Sequence, residues 1–168
     1  GAHSINMALL EAIEHINEKN GFFFVHQTGP QDEAIVKNAY MLHAIPSKVQ
    51  PFFTDMASEY QNADLVICRA GATTVAEVTA IGKGVIFIPF PFAADNHQVL
   101  NAQSLEKNGA AEMILEKDLS GEVLAERINY YASNPNDLQL MASRAKSFGR
   151  PDAAAFIVDD FYKLINPE

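Results

Sequence analysis

The stretch that decides the fold is "CRAGATTVAE", Cys68–Glu77. It separates two apolar segments, "DLVICR" before it and "GVIFIPFP" after it, each with the length and composition of a buried strand. The small residues at its start favour a tight turn, and "TTVAEVTAIG" has the composition of a helix. This region therefore predicts a strand, a turn and a helix, followed by a second strand.

The same alternation of strand and helix extends outward over most of the chain. The pattern predicts helices over residues 4–20, 31–45, 55–63, 73–82 and 95–109, and strands over 22–27, 48–53, 64–69, 84–91 and 110–115. From Ser120 onward the pattern is helical, with breaks at "SNPND" and "FGRPD". Alternation of this kind predicts an α/β fold, a Rossmann-like parallel sheet flanked by helices, with residues 1–168 as a single domain.

The first predicted helix is the clearest of these elements. Its apolar residues recur at the spacing of a helix that buries one face, and it is expected to stop at Asn20–Gly21. These apolar residues are Ile5, Ala8, Leu9, Ala12, Ile13 and Ile16. Because a doubly wound sheet normally begins with a strand, we expect the chain to be part of a longer protein.

Composition excludes several classes of function. With 21 acidic and 12 basic residues the formal charge is −9, which argues against a nucleic-acid partner. The single cysteine, Cys68, has no ligand partners at metal-binding spacing, so we expect no metal, a buried thiol and a reducing, cytoplasmic compartment. We expect no signal peptide and no transmembrane segment, because no apolar run reaches about 18 residues.

Residues Gly71–Thr74 lie where a parallel sheet binds ligands, beyond the carboxyl end of a strand. Gly71 and Ala72 let a ligand approach the backbone, and the helix start offers unpaired N–H groups and the positive end of its dipole. These features suit a diphosphate. The alternative is a structural turn, with Thr73 or Thr74 as N-cap and Glu77 closing a capping box. The residues alone leave both interpretations open.

A second polar cluster follows the next strand. The segment "PFPFAADNHQVLNA" places His97, Gln98 and Asn101 near a second helix start, with Gln98 and Asn101 on one helical face. Imidazole and amide groups there can bind the hydroxyls of a neutral sugar. Each also has a structural interpretation, in which Asp95 or Asn96 caps the helix and the other polar side chains are solvated.

The run "ICRAGATTVAEVTAIGKGVIFIPFPFAADNHQVLNAQSLEKNGAAEMI" resembles the donor-nucleotide signature of the MurG family of bacterial GlcNAc transferases. Three further segments are similar to the same family. The segment "GAHSINMALLEAI" is similar to the residues after its glycine-rich "GGS" motif, "HQTG" matches up to Gly29, and "FFTDMASEY" matches the loop before the "ADLVICRAG" strand. The resemblance covers nearly the whole chain, but only the carboxyl-terminal half of such an enzyme.

The resemblance implies the C-terminal domain of a GT-B glycosyltransferase that binds UDP-GlcNAc and needs no metal or cofactor. It implies that the backbone near Phe53, together with Met56, holds the uracil, and that Glu77 takes the ribose hydroxyls. Residues Gly71, Ala72, Thr73 and Thr74 would approach the diphosphate, and His97, Gln98 and Asn101 would face the sugar. It places the catalytic base in the amino-terminal half, so no catalytic residue is expected here.

By the same resemblance, the whole enzyme transfers GlcNAc to the C4 hydroxyl of lipid I to form lipid II in peptidoglycan synthesis. It would lie on the inner face of the plasma membrane and reach lipid I through its amino-terminal half. Two alternatives stay open. One is the catalytic subunit of a two-subunit dolichol-linked GlcNAc transferase, and the other is a non-catalytic UDP-sugar-binding module. We expect the chain to fold alone but to transfer nothing.

Overall fold

A computed structural model of the protein describes residues 2–17 and 21–165. Within these residues strands and helices alternate in the predicted order. The helices are α1 His3–His15, α2 Glu33–Leu42, α3 Met56–Asn62, α4 Ala72–Ile81, α5 His97–Glu106, α6 Gly121–Ser133, α7 Pro135–Phe148 and α8 Ala153–Ile165. The strands are β1 Phe24–Gln27, β2 Ser47–Gln50, β3 Leu65–Cys68, β4 Gly84–Phe87 and β5 Glu112–Met113. The predicted alternation is confirmed.

The strands form two parallel sheets. One contains β1 and β2, with Phe24 opposite Ser47, and the other has the order β3–β4–β5, with Leu65 opposite Gly84. The β3–β4 pairing extends past the strands, because the Ile88 N–H donates to the Cys68 carbonyl at 2.8 Å. Parallel pairing is as predicted, whereas the division into two sheets was not foreseen.

A groove of about 1740 Å³ lies between the two sheets. Residues of β1 and of β3 line it, and the α1 side chains of Ile5 and Leu9 and the α6 side chains of Leu124 and Ile128 also face it. Strand β1 is an edge strand of the first sheet and β3 is an edge strand of the second. The groove lies between these two edge strands.

The core is organised around β4. Every residue of that strand is buried, and Val85, Ile86 and Phe87 have no exposed surface. Such a strand is typical of a parallel sheet covered by helices on both faces. The apolar face predicted for α1 is also buried, although α1 ends at His15 and Ile16 adopts an extended conformation while its side chain enters the core. The helix is thus shorter than predicted, and Asn20 lies outside the described residues.

Helix α8 differs from the other helices. All of its residues are exposed, including the apolar side chains of Phe156, Ile157, Phe161 and Leu164. By contrast, Met141 of α7 is buried as its apolar character suggests. Among the described residues, α7 therefore packs against the sheet and α8 does not.

A buried polar network joins α1 to the residues that follow β1. The Asn6 amide donates to the Thr28 carbonyl at 2.9 Å and to the Asp32 carboxylate at 2.7 Å. Its oxygen lies 2.9 Å from Nε2 of His26, and Nδ1 of His26 lies 3.2 Å from the Tyr40 hydroxyl. Because both amide protons of Asn6 are used, His26 donates through Nε2 and accepts from Tyr40 through Nδ1. This arrangement requires a neutral imidazole.

Burial lowers the pKa of His26 to about 4 and outweighs the nearby Asp32 charge. The pKa of the Asp32 carboxyl is also lowered, first by the hydrogen bond from Asn6 and then by the one from His3. An unfolded histidine titrates near 6.5, so from pH 6.5 down to about pH 4 the unfolded chain binds a proton that the folded chain does not. The free energy of unfolding therefore falls as pH falls through this window. The Asp32 contribution is lost at still lower pH.

We predict that this loss amounts to on the order of 3 kcal/mol, because each unit of pKa shift corresponds to about 1.4 kcal/mol. Urea unfolding across the window measures it. The variant His26→Gln should show a shallower pH dependence, whereas the control His15→Gln, which changes an exposed histidine, should retain the wild-type slope. Equal slopes for His26→Gln and wild type would contradict the assignment.

Candidate functional site

The turn between β3 and α4 ends in an uncapped helix start. Gly71 is the N-cap residue, with φ −64° and ψ 147°, and no side chain makes a capping bond there. The first backbone bond of the helix runs from the Val75 N–H to the Gly71 carbonyl. The N–H groups of Ala72, Thr73 and Thr74 therefore lie in the first turn, where they have no intrahelical acceptor. These donors and the helix dipole suit an anion.

The capping-box interpretation is wrong. Thr73 and Thr74 lie inside α4, and Glu77 is its sixth residue, too far along the helix to bond the N-cap amide. The extended conformation of Gly71 starts the helix one residue before the threonines. Glu77 is instead exposed on the helix surface, where its carboxylate is available to a ligand.

The charge of Glu77 acts on two ionisable groups nearby, Cys68 at the end of β3 and Tyr60 in α3. Burial, with a smaller contribution from the Glu77 charge, raises the pKa of the Cys68 thiol to about 12. Burial also raises the pKa of Tyr60 to about 12, with smaller contributions from Cys68 and Glu77. The thiol was expected to be buried, whereas Cys68 is half-buried. At neutral pH the thiol is protonated and therefore a poor nucleophile.

The second polar cluster begins at a strained turn. Asp95 and Asn96 form part of a short 3₁₀ helix, Ala94–Asn96, and both have positive φ, 49° and 54°. Asn96 is the N-cap of α5, as one interpretation of the sequence suggested, but its side chain makes no capping bond. Consecutive non-glycine residues in this conformation are uncommon, and such strain concentrates at functional sites.

Backbone contacts fix the orientation of His97 and Gln98. Nδ1 of His97 lies 2.7 Å from the Ala94 carbonyl and donates to it, so Nε2 remains as an acceptor. Oε1 of Gln98 accepts from the Phe90 N–H at 3.0 Å, so its Nε2 group remains as a donor. The two side chains thus offer one acceptor and one donor.

Asn101 joins the two polar clusters. Its Nδ2 donates to the Ala70 carbonyl at 3.1 Å, directly before Gly71, and its Oδ1 remains as an acceptor. The structure therefore brings the residues after β4 against the turn after β3. The Asn101 side chain is half-buried at this junction.

Phe53 and Met56 lie in the segment after β2. Phe53 is 4% exposed, and its N–H donates to Oε1 of Gln27 at 2.9 Å, so its carbonyl is the backbone group left for a ligand. Met56 is the first residue of α3 and is half-buried. The groove between the sheets is lined here by Phe53, Met56 and Thr74. The remaining seven predicted residues lie outside its lining.

Sequence reasoning missed two residues that shape this site, Gln27 and Arg69. Gln27 holds the Phe53 amide, and Arg69 holds the backbone after β4. Gln27 is the last residue of β1 and lies in the segment "HQTG". Arg69 directly follows β3 and lies in the segment "CRAG". A polar residue at the carboxyl end of a parallel strand was the signal that could have identified them.

The part of the chain that the structure describes contains neither a metal site nor a membrane-spanning helix. Across residues 2–17 and 21–165, no group of three or more histidine, cysteine or acidic side chains is placed to hold a metal ion. In the same part of the chain, no helix has both the length and the apolar character that a membrane span requires.

Residues 1–157 match the family described as the glycosyltransferase family 28 C-terminal domain. The chain belongs to glycosyltransferase family 28. It is the C-terminal, Rossmann-like domain of the GT-B fold, and the predicted resemblance and fold are confirmed.

Curated relatives are similar along almost the entire chain. A protein of Trichlorobacter lovleyi is 44% identical over 169 residues, which is 99% of this chain and 44% of that protein. A protein of a Geobacter species is 49% identical over 94% of this chain and 43% of its own length. Both are named UDP-N-acetylglucosamine--N-acetylmuramyl-(pentapeptide) pyrophosphoryl-undecaprenol N-acetylglucosamine transferase. The chain spans less than half the length of these relatives.

Solved structures agree with this placement in the family. MurG of Acinetobacter baumannii superposes with a TM-score of 0.87 at 35% identity, over 97% of this chain and 47% of that one. The glycosyltransferase VinC superposes with a TM-score of 0.64 at 15% identity, which shows a shared fold alone.

The conformation of Gly71 leads to a prediction. Its φ is ordinary for any residue, and an added Cβ would meet only Oγ1 of Thr74, at 4.0 Å. Gly71→Ala should therefore change the free energy of unfolding by no more than about 1 kcal/mol, because the lower entropy of the unfolded chain and the poorer N-cap preference of alanine oppose each other. If phosphate approaches this backbone, affinity for UDP should fall by about tenfold, since overpacking costs about 1–3 kcal/mol. Calorimetry measures both quantities.

Gly82→Ala is the matched control. Gly82 has φ 78°, and an added Cβ would lie 2.8 Å from Cβ of Lys146. That variant should lose stability while the folded fraction keeps the wild-type affinity for UDP. Unchanged UDP affinity in Gly71→Ala would show that no phosphate contacts this backbone.

Proposed function

We propose that this chain is the UDP-GlcNAc-binding domain of an inverting glycosyltransferase that transfers GlcNAc to the C4 hydroxyl of lipid I. The product would be lipid II, in peptidoglycan synthesis. The observation that carries the proposal is the hydrogen bond from Asn101 to the Ala70 carbonyl, which holds the polar cluster after β4 against the open start of α4. The names of the relatives favour this function over a dolichol-linked transferase or a non-catalytic module.

The diphosphate would bind at the start of α4. The N–H groups of Ala72, Thr73 and Thr74 offer donors, and the helix dipole adds positive potential where the departing UDP gains charge. These donors are already oriented before the reaction, so little reorganisation is needed as charge develops. The chain's own backbone would thus stabilise the leaving group.

The sugar would bind beside α5. The acceptors His97 Nε2 and Asn101 Oδ1 and the donor Gln98 Nε2 match a ring whose hydroxyls both donate and accept hydrogen bonds. Because each side chain is held by a backbone group, its orientation is set before the ligand arrives. Pre-organisation of this kind lowers the entropic cost of binding.

The nucleoside would bind at the segment after β2 and at Glu77. Phe53 and Met56 line the same groove as Thr74. The Phe53 carbonyl and the Met56 side chain would therefore hold uracil within reach of a diphosphate at the start of α4. Glu77 is exposed on α4 and would accept hydrogen bonds from both ribose hydroxyls.

The amino-terminal domain would bind the acceptor substrate, lipid I, and would supply the catalytic base. The chain corresponds to 44% of the Trichlorobacter relative, so a second region of comparable size has no counterpart here. The whole enzyme would bind lipid I through that region and work at the inner face of the plasma membrane. Nucleic acid has no part in this proposal.

A nucleotide panel tests the proposal. The isolated chain should bind UDP-GlcNAc and UDP more tightly than GDP and ADP, because the segment at Phe53 is proposed to recognise a pyrimidine. It should transfer no GlcNAc to lipid I, since orientation of the acceptor is lost with the other domain. Thermal shift and a radiolabelled transfer assay measure the two results. Equal shifts with all four nucleotides would leave only a generic phosphate site, and turnover by this chain alone would refute the assigned roles.

Glu77 provides a second test. If it binds both ribose hydroxyls, Glu77→Ala should lower UDP affinity by about tenfold to a few hundredfold, because each hydrogen bond to a charged group contributes about 1.5–3 kcal/mol. The free energy of unfolding should change little, since the side chain is exposed and makes no capping bond. Titration calorimetry and urea unfolding separate the two effects.

The control is 2′,3′-dideoxy-UDP, which has no ribose hydroxyls at these positions. Wild type and Glu77→Ala should bind it equally. An equal loss of affinity for UDP and for the dideoxy analogue would show that Glu77 acts through the turn and not through the ribose.

A further inference from the structure

Arg69 links four segments at the carboxyl edge of the larger sheet. It follows β3, and its Nη1 donates to the carbonyls of Ile88 at 3.1 Å and Pro89 at 3.2 Å. Its Nη2 donates to the Ser4 hydroxyl at 2.8 Å, in the first turn of α1. The same guanidinium forms an ion pair with Glu116, which follows β5. The side chain is 20% exposed, so most of its surface is committed to these contacts.

The ion pair with Glu116 neutralises the charge of Arg69. The Glu116 carboxylate also accepts from the Ser4 hydroxyl at 2.8 Å. A planar guanidinium has five donors in fixed directions, and the known contacts already use donors on both terminal nitrogens. In this geometry the residue supports the backbone and does not present a free cation to a ligand.

A short path leads from Arg69 to the sugar side of the candidate site. By binding the carbonyls of residues 88 and 89, Arg69 fixes the backbone that leads into Phe90, and its guanidinium also lies 5.5 Å from the centre of the Phe90 ring. The Phe90 N–H in turn donates to Oε1 of Gln98. The orientation of the Gln98 carboxamide thus depends on a backbone segment that Arg69 holds in place.

We propose that Arg69 is a positioning residue that orients Gln98 toward the sugar of a nucleotide-sugar ligand. The inference rests on the function proposed above and adds a residue that determines preference for UDP-GlcNAc over UDP. It does so without touching the ligand, because its effect passes through Pro89, Phe90 and Gln98.

The test compares two affinities in the full 168-residue chain. In Arg69→Met, affinity for UDP-GlcNAc should fall by about twofold to tenfold, the net contribution of one hydrogen bond, while affinity for UDP stays unchanged. The readout is the dissociation constant for UDP divided by that for UDP-GlcNAc, measured by titration calorimetry. A loss of stability alone would not change this ratio. Arg69→Lys, which keeps a cation beside Glu116 but lacks the planar fork, should also lower the ratio and serves if the methionine variant does not fold.

Arg127→Met is the matched control. Arg127 also forms a bidentate ion pair, with Glu112 at 2.5 and 2.7 Å, and stacks on Tyr130 and Tyr131, none of which is a predicted site residue. That variant should lose stability and keep the wild-type ratio.

A double-mutant cycle tests the path itself. In a chain that carries Gln98→Ala, adding Arg69→Met should produce no further change in the ratio, because the side chain that Arg69 orients is gone. A further fall in that background, or an equal loss of affinity for UDP and UDP-GlcNAc in Arg69→Met, would overturn this inference alone. Failure of the wild-type chain to bind UDP-GlcNAc would overturn the proposed function and this inference with it.

Discussion

Complete burial of β4 is the constraint on which the rest of the structure depends. All of its residues pair with β3 on one edge, and Ile86 and Phe87 also pair with β5 on the other. The Val85 N–H donates to the sulfur of Met141, so the strand is enclosed by protein groups and not by water. A strand of this kind has no room for polar side chains. Polar chemistry is therefore displaced to the point where the chain leaves the sheet, at Pro89 and Phe90.

The same constraint explains why backbone groups orient the polar side chains of the site. Proline has no N–H to donate, so the hydrogen-bond ladder of β4 cannot continue through Pro89 and Pro91. The carbonyl groups of this segment therefore need partners outside the ladder. Arg69 satisfies the carbonyl of Pro89, and Gln98 takes the intervening N–H of Phe90. The loop is thereby held by one side chain from the end of β3 and one from the start of α5, and not by another strand.

The order of elements could be predicted from the sequence because hydrophobic periodicity is local. Boundaries were less predictable where tertiary contacts decide them. The pattern predicts one strand over residues 84–91, yet β4 ends at Phe87 and its pairing with β3 stops at Ile88, because the prolines follow. Helix α1 stops at His15 because Ile16 turns into the core. The N-cap of α4 was misplaced because a glycine in extended conformation needs no side-chain cap. The contacts of Gln27, Arg69 and Gln98 join residues distant in sequence, which no local pattern records.

The raised pKa of the half-buried Cys68 thiol has a practical consequence for studying domain movement. Cys68 is the chain's single cysteine, and it stays protonated at neutral pH, so alkylating reagents react with it slowly. A cysteine placed at an exposed position such as Ala154 on α8 would react with a maleimide dye or a spin label in preference to Cys68. Site-specific labelling is thus available without first removing a native cysteine from the strand that leads into the site.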